Sequence, residues 1–177
     1  RGFLADGGFV SFTVTECAQG TDLDGDGGID CDQVLFVYDV KSNRTTNLGL
    51  PLRTFTIWPY LAQEGPILAF AVSESALGRD LDGDSLVTRD LVYTYEADIG
   101  RLTPLFVATD LRPILEDGRV LVAALEEGYG DKNGDGDTFD RVLLAYDVRT
   151  GATENLGRAV QATSANFPWI GIEGPLL

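Results

Sequence analysis

Histidine and methionine are absent from the 177 residues. Without imidazole, neither a Ser-His-Asp nor a Cys-His catalytic site can be assembled, and His-ligated zinc is excluded. The two cysteines, Cys17 and Cys31, are too few for a structural zinc site of their own. Basic residues are scarce, 13 against 28 acidic ones, for a net charge of −15. That balance argues against nucleic acid, whose phosphates are bound by basic surface, and favours solubility. No Gly-x-x-x-x-Gly-Lys run is present to cradle a phosphate. There is no membrane-length apolar run and no signal peptide. The opening Arg1-Gly2-Phe3, in place of an initiator Met, implies a processed or excised chain.

In excess are aspartates, gathered in three similar stretches. The first is Asp22-Leu23-Asp24-Gly25-Asp26-Gly27-Gly28-Ile29-Asp30-Cys31-Asp32, and the second runs from Asp80 through Asp82, Asp84, Ser85, Leu86 and Thr88 to Asp90. The third, one residue shorter, is Asp131-Lys132-Asn133-Gly134-Asp135-Gly136-Asp137-Thr138-Phe139-Asp140. Oxygen side chains at positions 1, 3 and 5 converge when glycine lets the backbone wrap, and hard cations such as calcium take six to eight oxygen ligands. Each stretch is therefore expected to hold one Ca2+, about three in all. The expected ligands are Asp22, Asp24, Asp26, Asp30 and Asp32; Asp80, Asp82, Asp84, Thr88 and Asp90; and Asp131, Asn133, Asp135, Asp137 and Asp140. Backbone carbonyls at position 7, Gly28 and Leu86, add to them; Asp137 holds that position in the third stretch. Glu16, Glu74 and Glu127 end the preceding strands, where they either complete the shell or cap an exposed strand end. The plainer alternative is a set of solvated turns, since Asp-Gly is a common turn pair. The pattern resembles the first half of an EF-hand loop, but Gln33, Leu91 and Val142 stand where that loop has its Glu, and the flanks are β-like. Three bound calcium ions, six positive charges, would bring −15 to −9.

Cys17 and Cys31 flank the first acidic stretch. A disulfide there would clamp the hairpin mouth and imply an oxidising compartment; free thiols are the alternative. A disulfide and millimolar external calcium together point to an extracellular, secreted or periplasmic protein. Asn43-Arg44-Thr45 is a glycosylation sequon in a predicted turn.

The flanks of the acidic stretches also repeat. Phe9–Glu16, Ile67–Glu74 and Val120–Glu127 precede them; Val34–Asp39, Leu91–Glu96 and Val142–Asp147 follow, each leading through a turn to Leu48, Leu105 or Leu156. The runs are short, rich in Val, Tyr, Phe and Thr, and bounded by Gly, Asp and Asn, so they read as strands. No apolar pattern of helical period and length is present. A further short strand precedes each unit, clearest in Trp58-Pro59-Tyr60-Leu61-Ala62-Gln63-Glu64-Gly65-Pro66 and repeated in Phe167-Pro168-Trp169-Ile170-Gly171-Ile172-Glu173-Gly174-Pro175. Four consecutive antiparallel strands make one propeller blade. The fold class expected is all-β: a β-propeller-like array of blades at about 1–52, 53–107 and 108–160, with 161–177 starting a fourth.

Asp117-Gly118-Arg119-Val120, the Val-Leu-x-x-Tyr-Asp strands and Arg149-Thr150-Gly151 resemble TolB-type propeller blades. The acidic stretch between strands two and three departs from that family, and blades with such an insert look like those of secreted bacterial repeat proteins. The resemblance implies an extracellular, calcium-stabilised module and names no activity. Three blades and one strand do not close a ring, so the chain is either a window on a longer array or completed by neighbouring chains through unpaired strand edges, in the limit as a filament. A glycan-binding propeller is the alternative function, with Trp58, Tyr60, Phe167 and Trp169 either a sugar-stacking surface or core. A carboxylate pair for glycoside hydrolysis is chemically available, but the cation stretches explain every acid-rich cluster.

Overall fold

The computed structural model describes residues 3–55, 58–127 and 129–160. It is built almost wholly of strands: β1 (Phe3–Asp6), β2 (Phe9–Thr15), β3 (Gln33–Asp39) and β4 (Arg44–Pro51); β5 (Thr54–Phe55) and β6 (Trp58–Pro59); β7 (Leu61–Glu64), β8 (Ile67–Ser73), β9 (Asp90–Glu96) and β10 (Arg101–Ala108); then β11 (Ile114–Glu116), β12 (Arg119–Leu125), β13 (Arg141–Asp147) and β14 (Thr153–Ala159). Strands β1–β4, β7–β10 and β11–β14 form three four-stranded antiparallel sheets, each following chain order. β5 and β6 pair with each other in the link between the first two. The sheets stack in series, and their innermost strands β1, β7 and β11 are neighbours. This is the expected all-β, propeller-like array. Residues 161–177, read as the start of a fourth blade, lie outside the described residues.

The second strands of the second and third blades, β8 and β12, are covered on both faces, which is why their sequences are nearly continuous in apolar residues; β2 of the first blade is half-buried and alternates with Ser and Thr. In β8, Leu68, Phe70 and Val72 pack with Leu35, Val37 and Leu52 of the first blade. On the other face, Ala69 packs with Val120 and Val122 of the third. Large side chains point one way and small ones the other, so successive blades interlock. Two single helical turns, α1 (Glu16–Gln19) and α2 (Glu74–Leu77), follow β2 and β8 and end at Gly20 and Gly78 with φ of 70° and 64°.

The outer strand pair of each blade slips register at the same place, between Val34 and Phe36, Pro104 and Ala108, and Val142 and Leu144 of the ladders. The backbone there turns left-handed at Gly49 (φ 63°), Phe106 (φ 50°) and Gly157 (φ 58°). Phe106 carries the strain its glycine counterparts avoid, and its ring is 56% exposed. Phe106→Gly should therefore stabilise the protein by about 0.5–1 kcal/mol after the entropy cost of glycine, read by urea denaturation. A loss of stability would show that the ring packs in solution.

Ion pairs join the blades at one end of the strands. Arg53, in the link from the first blade to the second, pairs with Asp90 at the start of β9 at 2.9 Å. Asp110, in the next link, pairs through both carboxylate oxygens with Arg141 at the start of β13. The two junctions use the same positions with opposite charge. Burial pushes the Asp90 carboxyl up to about 6 despite Arg53. Ionised Asp90 thus opposes folding and is held by its cation. Arg53→Ala should cost about 1–2 kcal/mol, discounted for the exposure of Arg53, whereas Asp90→Asn should be near neutral. Exchanging the pair, Arg53→Asp with Asp90→Arg, should recover most of the loss, because the following junction already uses that polarity. Equal losses from both single changes in denaturation at pH 7 would contradict this.

Candidate metal centres

The three acidic stretches connect β2 to β3, β8 to β9 and β12 to β13, so all leave the same end of the blades. Their backbones wrap alike. The first aspartate takes two amides: Asp22 from Gly25 (2.7 Å) and Gly27 (3.1 Å), Asp80 from Gly83 (2.6 Å) and Ser85 (2.8 Å), Asp131 from Gly134 (2.5 Å) and Gly136 (2.9 Å). Position 3, which is Asp24, Asp82 or Asn133, accepts the amide two residues on at 3.1, 3.1 and 3.0 Å. Position 5, Asp26, Asp84 or Asp135, does the same at 2.6, 2.7 and 3.1 Å. Position 6 is left-handed throughout, at Gly27, Ser85 and Gly136, so Ser85 again stands where glycine is easier.

A buried glutamate anchors each loop from the end of the preceding strand. Glu16 Oε1 accepts the amides of Leu23 (2.5 Å) and Asp24 (3.1 Å). Glu74 accepts Leu81 (2.7 Å) and Arg89 (3.2 Å). In the third blade this residue is Glu126, which takes the amides of Lys132 and Asn133. Glu127, expected in that role, is exposed and offers only its carbonyl, to Arg89 at 2.5 Å. The anchor is the residue directly after the last paired residue of its strand, Thr15, Ser73 or Leu125, so in the third blade it is Glu126. Glu16, Glu74 and Glu126 are all 0% exposed. Among the described residues, Glu16 Oε2, Asp24 Oδ2 and Glu126 Oε2 are buried without a hydrogen-bond partner.

These anchors bring carboxylates together. Ligand oxygens lie within 4.8 Å of one another in the groups Glu16, Asp22 and Asp24; Asp24, Asp26 and Asp32; Glu74, Asp80 and Asp82; and Glu126, Asp137 and Asp140. The crowding shows in the electrostatics. The Asp24 carboxyl is pushed up by burial first, then by Glu16, Asp26 and Asp22. Asp32 is pushed up by burial, then by Asp30, Glu16 and Asp26. The Gly83 and Ser85 amides hold Asp80 down. A Cβ at Gly28 would lie 2.9 Å from Asp30 and 3.1 Å from Asp26 oxygens, so the glycine leaves the carboxylates their approach. Asp30 and Asp137 are exposed, and the Asp30 carbonyl accepts the Cys17 amide at 2.7 Å. Cys17 and Cys31 form a disulfide across the first loop. The Asn43 sequon sits in an exposed left-handed turn.

The second loop differs from the others. Asp90 lies outside it: the ladder places it opposite Ser73 in β9, facing Arg53. Thr88 and Leu86 are exposed. Asp84 is ion-paired with Arg89 at 2.5 Å, and Asp82 accepts the hydroxyl of Tyr129 from the third blade. Arg89 stacks 5.0 Å above the Tyr129 ring. A protein cation therefore already occupies the acidic face of this loop. Arg79, directly before this stretch, donates to the Gly25 carbonyl of the first loop at 2.8 Å. Arg79, Arg89 and Tyr129 thus stitch the loops together, and no repeat of theirs in the sequence announces them.

Tyr60, one of the aromatic residues read as a sugar platform or core, is 5% exposed and belongs to the core. Phe167 and Trp169 lie outside the described residues. Among the described residues, no helix is long and apolar enough to cross a membrane.

No protein-family model matches this chain, and no curated protein matches it. Among solved structures it is similar to the β-propeller domain of the trilobed protease from Pyrococcus furiosus, at 8% identity and a TM-score of 0.47, covering 88% of this chain and 40% of that one. It is also similar to YjhT, at 14% identity and a TM-score of 0.37, covering 88% of this chain and 50% of that one. This chain spans half or less of the length of either neighbour.

Proposed function

We propose that this protein is a calcium-stabilised extracellular module of propeller blades with a structural or interaction role, and that its first and third acidic loops are its principal calcium sites. The observation that carries the reading is the pair Glu16 and Glu126. Each is fully buried, each keeps one carboxylate oxygen without a partner, and each lies within 4.8 Å of two further carboxylates. A buried, unpaired charge is unfavourable by several kcal/mol or more, and a hard divalent cation would satisfy it. The donor set is all oxygen, which suits calcium rather than zinc or copper. Glu16, Asp22, Asp24, Asp26 and Asp32 would serve the first site, and Glu126, Asp137 and Asp140, with Asn133 and Asp135 beside them, the third. Glu74, Asp80 and Asp82 would form a weaker site, because Arg89 competes for the charge. The Cys17–Cys31 disulfide fits an oxidising compartment, where calcium is millimolar. Isothermal titration of calcium into chelator-stripped protein tests this. Two tight sites and one weaker are expected, and Arg89→Gln should strengthen the weaker one, in the second loop. Absence of binding heat together with an unchanged melt would end the reading.

A further inference from the structure

The outer strands of the first and third blades carry Asn-Leu-Gly where their register slips, as Asn47-Leu48-Gly49 in β4 and Asn155-Leu156-Gly157 in β14. The ladders set Asn47 opposite Phe36, Asn155 opposite Leu144 and Pro104 opposite Tyr93, so these three residues hold one station. Each asparagine works in two directions. Its carbonyl oxygen accepts the amide of the left-handed glycine two residues on, at 2.8 Å in both blades. Its amide nitrogen reaches to the acidic loop and donates to the carbonyl of position 2, Leu23 or Lys132, at 2.7 Å. The N–H of that same peptide unit, belonging to Asp24 or Asn133, donates to the buried Glu16 or Glu126. One peptide plane is thus gripped from both sides, and from it the position-3 side chain leaves the backbone. In the second blade Pro104 has no side-chain donor for the Leu81 carbonyl. There Glu74 takes the Leu81 and Arg89 amides, and the Asp82 carboxylate accepts the Tyr129 hydroxyl.

We propose that Asn47 and Asn155 are positioning residues for calcium at the first and third loops, and that through them occupancy of each loop is coupled to order in the outer strand beside it. The inference rests on the calcium reading above, whose sites are marked by the buried, unpartnered oxygens of Glu16, Asp24 and Glu126. Neither asparagine is a ligand, since its polar atoms are engaged by the glycine amide and the loop carbonyl. A peptide plane fixed in advance loses less freedom when the position-3 oxygen is engaged, so the latch raises affinity. Coupling of this kind is reciprocal. A bound cation therefore steadies the latch and the strand behind it, in the first and third blades and not in the second.

NMR on the full chain tests the coupling. Calcium binding is followed at the loop amides of Gly27 and Gly136, and hydrogen exchange at Gly49, Phe106 and Gly157. Calcium should slow exchange at Gly49 and Gly157 about two- to tenfold, the worth of one hydrogen bond, and change Phe106 least. Asn47→Ala should weaken calcium by the same factor, about two- to tenfold, at the first loop and leave the third as it was. Asn155→Ala should do the reverse. Both side chains are exposed, so each variant should fold and melt within about 4 °C of the wild type in chelator. A merely structural loss would weaken both loops together. Unchanged affinity in both variants, or equal weakening of both loops by either one, would overturn the proposal and leave the calcium reading standing. No calcium response at Gly27 or Gly136 would end that reading and the coupling with it.

Discussion

Stripping calcium with excess chelator should lower the melting temperature by roughly 10–20 °C. Ligand bound only to the folded state adds about 2.7 kcal/mol per site at a hundredfold excess over Kd, and two sites give about 5.4 kcal/mol. In a chain of 177 residues, each kcal/mol is worth about 2–4 °C. The loops depend on the cation because little else holds them: Ile29, Leu86 and Phe139 at their tips are 55%, 48% and 82% exposed. The first loop should lose least order on chelation, since the Cys17–Cys31 bridge spans fourteen residues and closing a loop near that size is worth about 3 kcal/mol. Differential scanning calorimetry with calcium and with chelator, followed by loop-resolved hydrogen exchange, measures both effects. Superimposable melts would remove the cations from the account of stability.

The second large effect is a change of sign at Glu126. Glu126→Gln keeps an acceptor for the Lys132 and Asn133 amides and removes the unpaired charge. In chelator it should be as stable as the wild type or more so, since a buried uncompensated carboxylate is unfavourable. With calcium it should bind at least about tenfold more weakly at the third loop, where ligand charge sets affinity. Glu126→Ala removes the acceptor as well, and should cost about 2–4 kcal/mol with or without calcium, because two loop amides are orphaned. Glu127→Gln, one residue along on the exposed side, should change neither property. If Glu127→Gln abolished the calcium response and Glu126→Gln preserved it, the anchor would have been placed on the wrong residue.

That one-residue distinction marks how far the sequence could be read. The strands were legible because each blade repeats its apolar runs and turn residues. The carboxylates at positions 1, 3 and 5 were legible because their spacing is what wraps the backbone. Asp90 and Glu127 sit elsewhere than spacing alone suggests, for two reasons. Aligning aspartates with aspartates puts Asp90 in the loop, but the ladder pairs it with Ser73. Starting the third unit at its first apolar residue, Val120, puts the strand-end glutamate at Glu127, whereas register matches Ile67 with Arg119 and so makes it Glu126. Single helical turns such as α1 and α2 are too short to show a period. Arg89, Tyr129 and Arg79 act across blades, and a contact between distant segments leaves no local pattern to find.

The reversed polarity of the two junction pairs bears on how such an array assembles. Were the third blade to settle against the first, Arg53 would meet Arg141. Were a copy of the second blade to follow the second, Asp110 would meet Asp90. Either misplacement sets like charges together in a partly buried seam, which is unfavourable where the native order is not. Blades that share one shape are thereby told apart by the charge at their seams, and a misplaced neighbour carries a penalty that the native order does not.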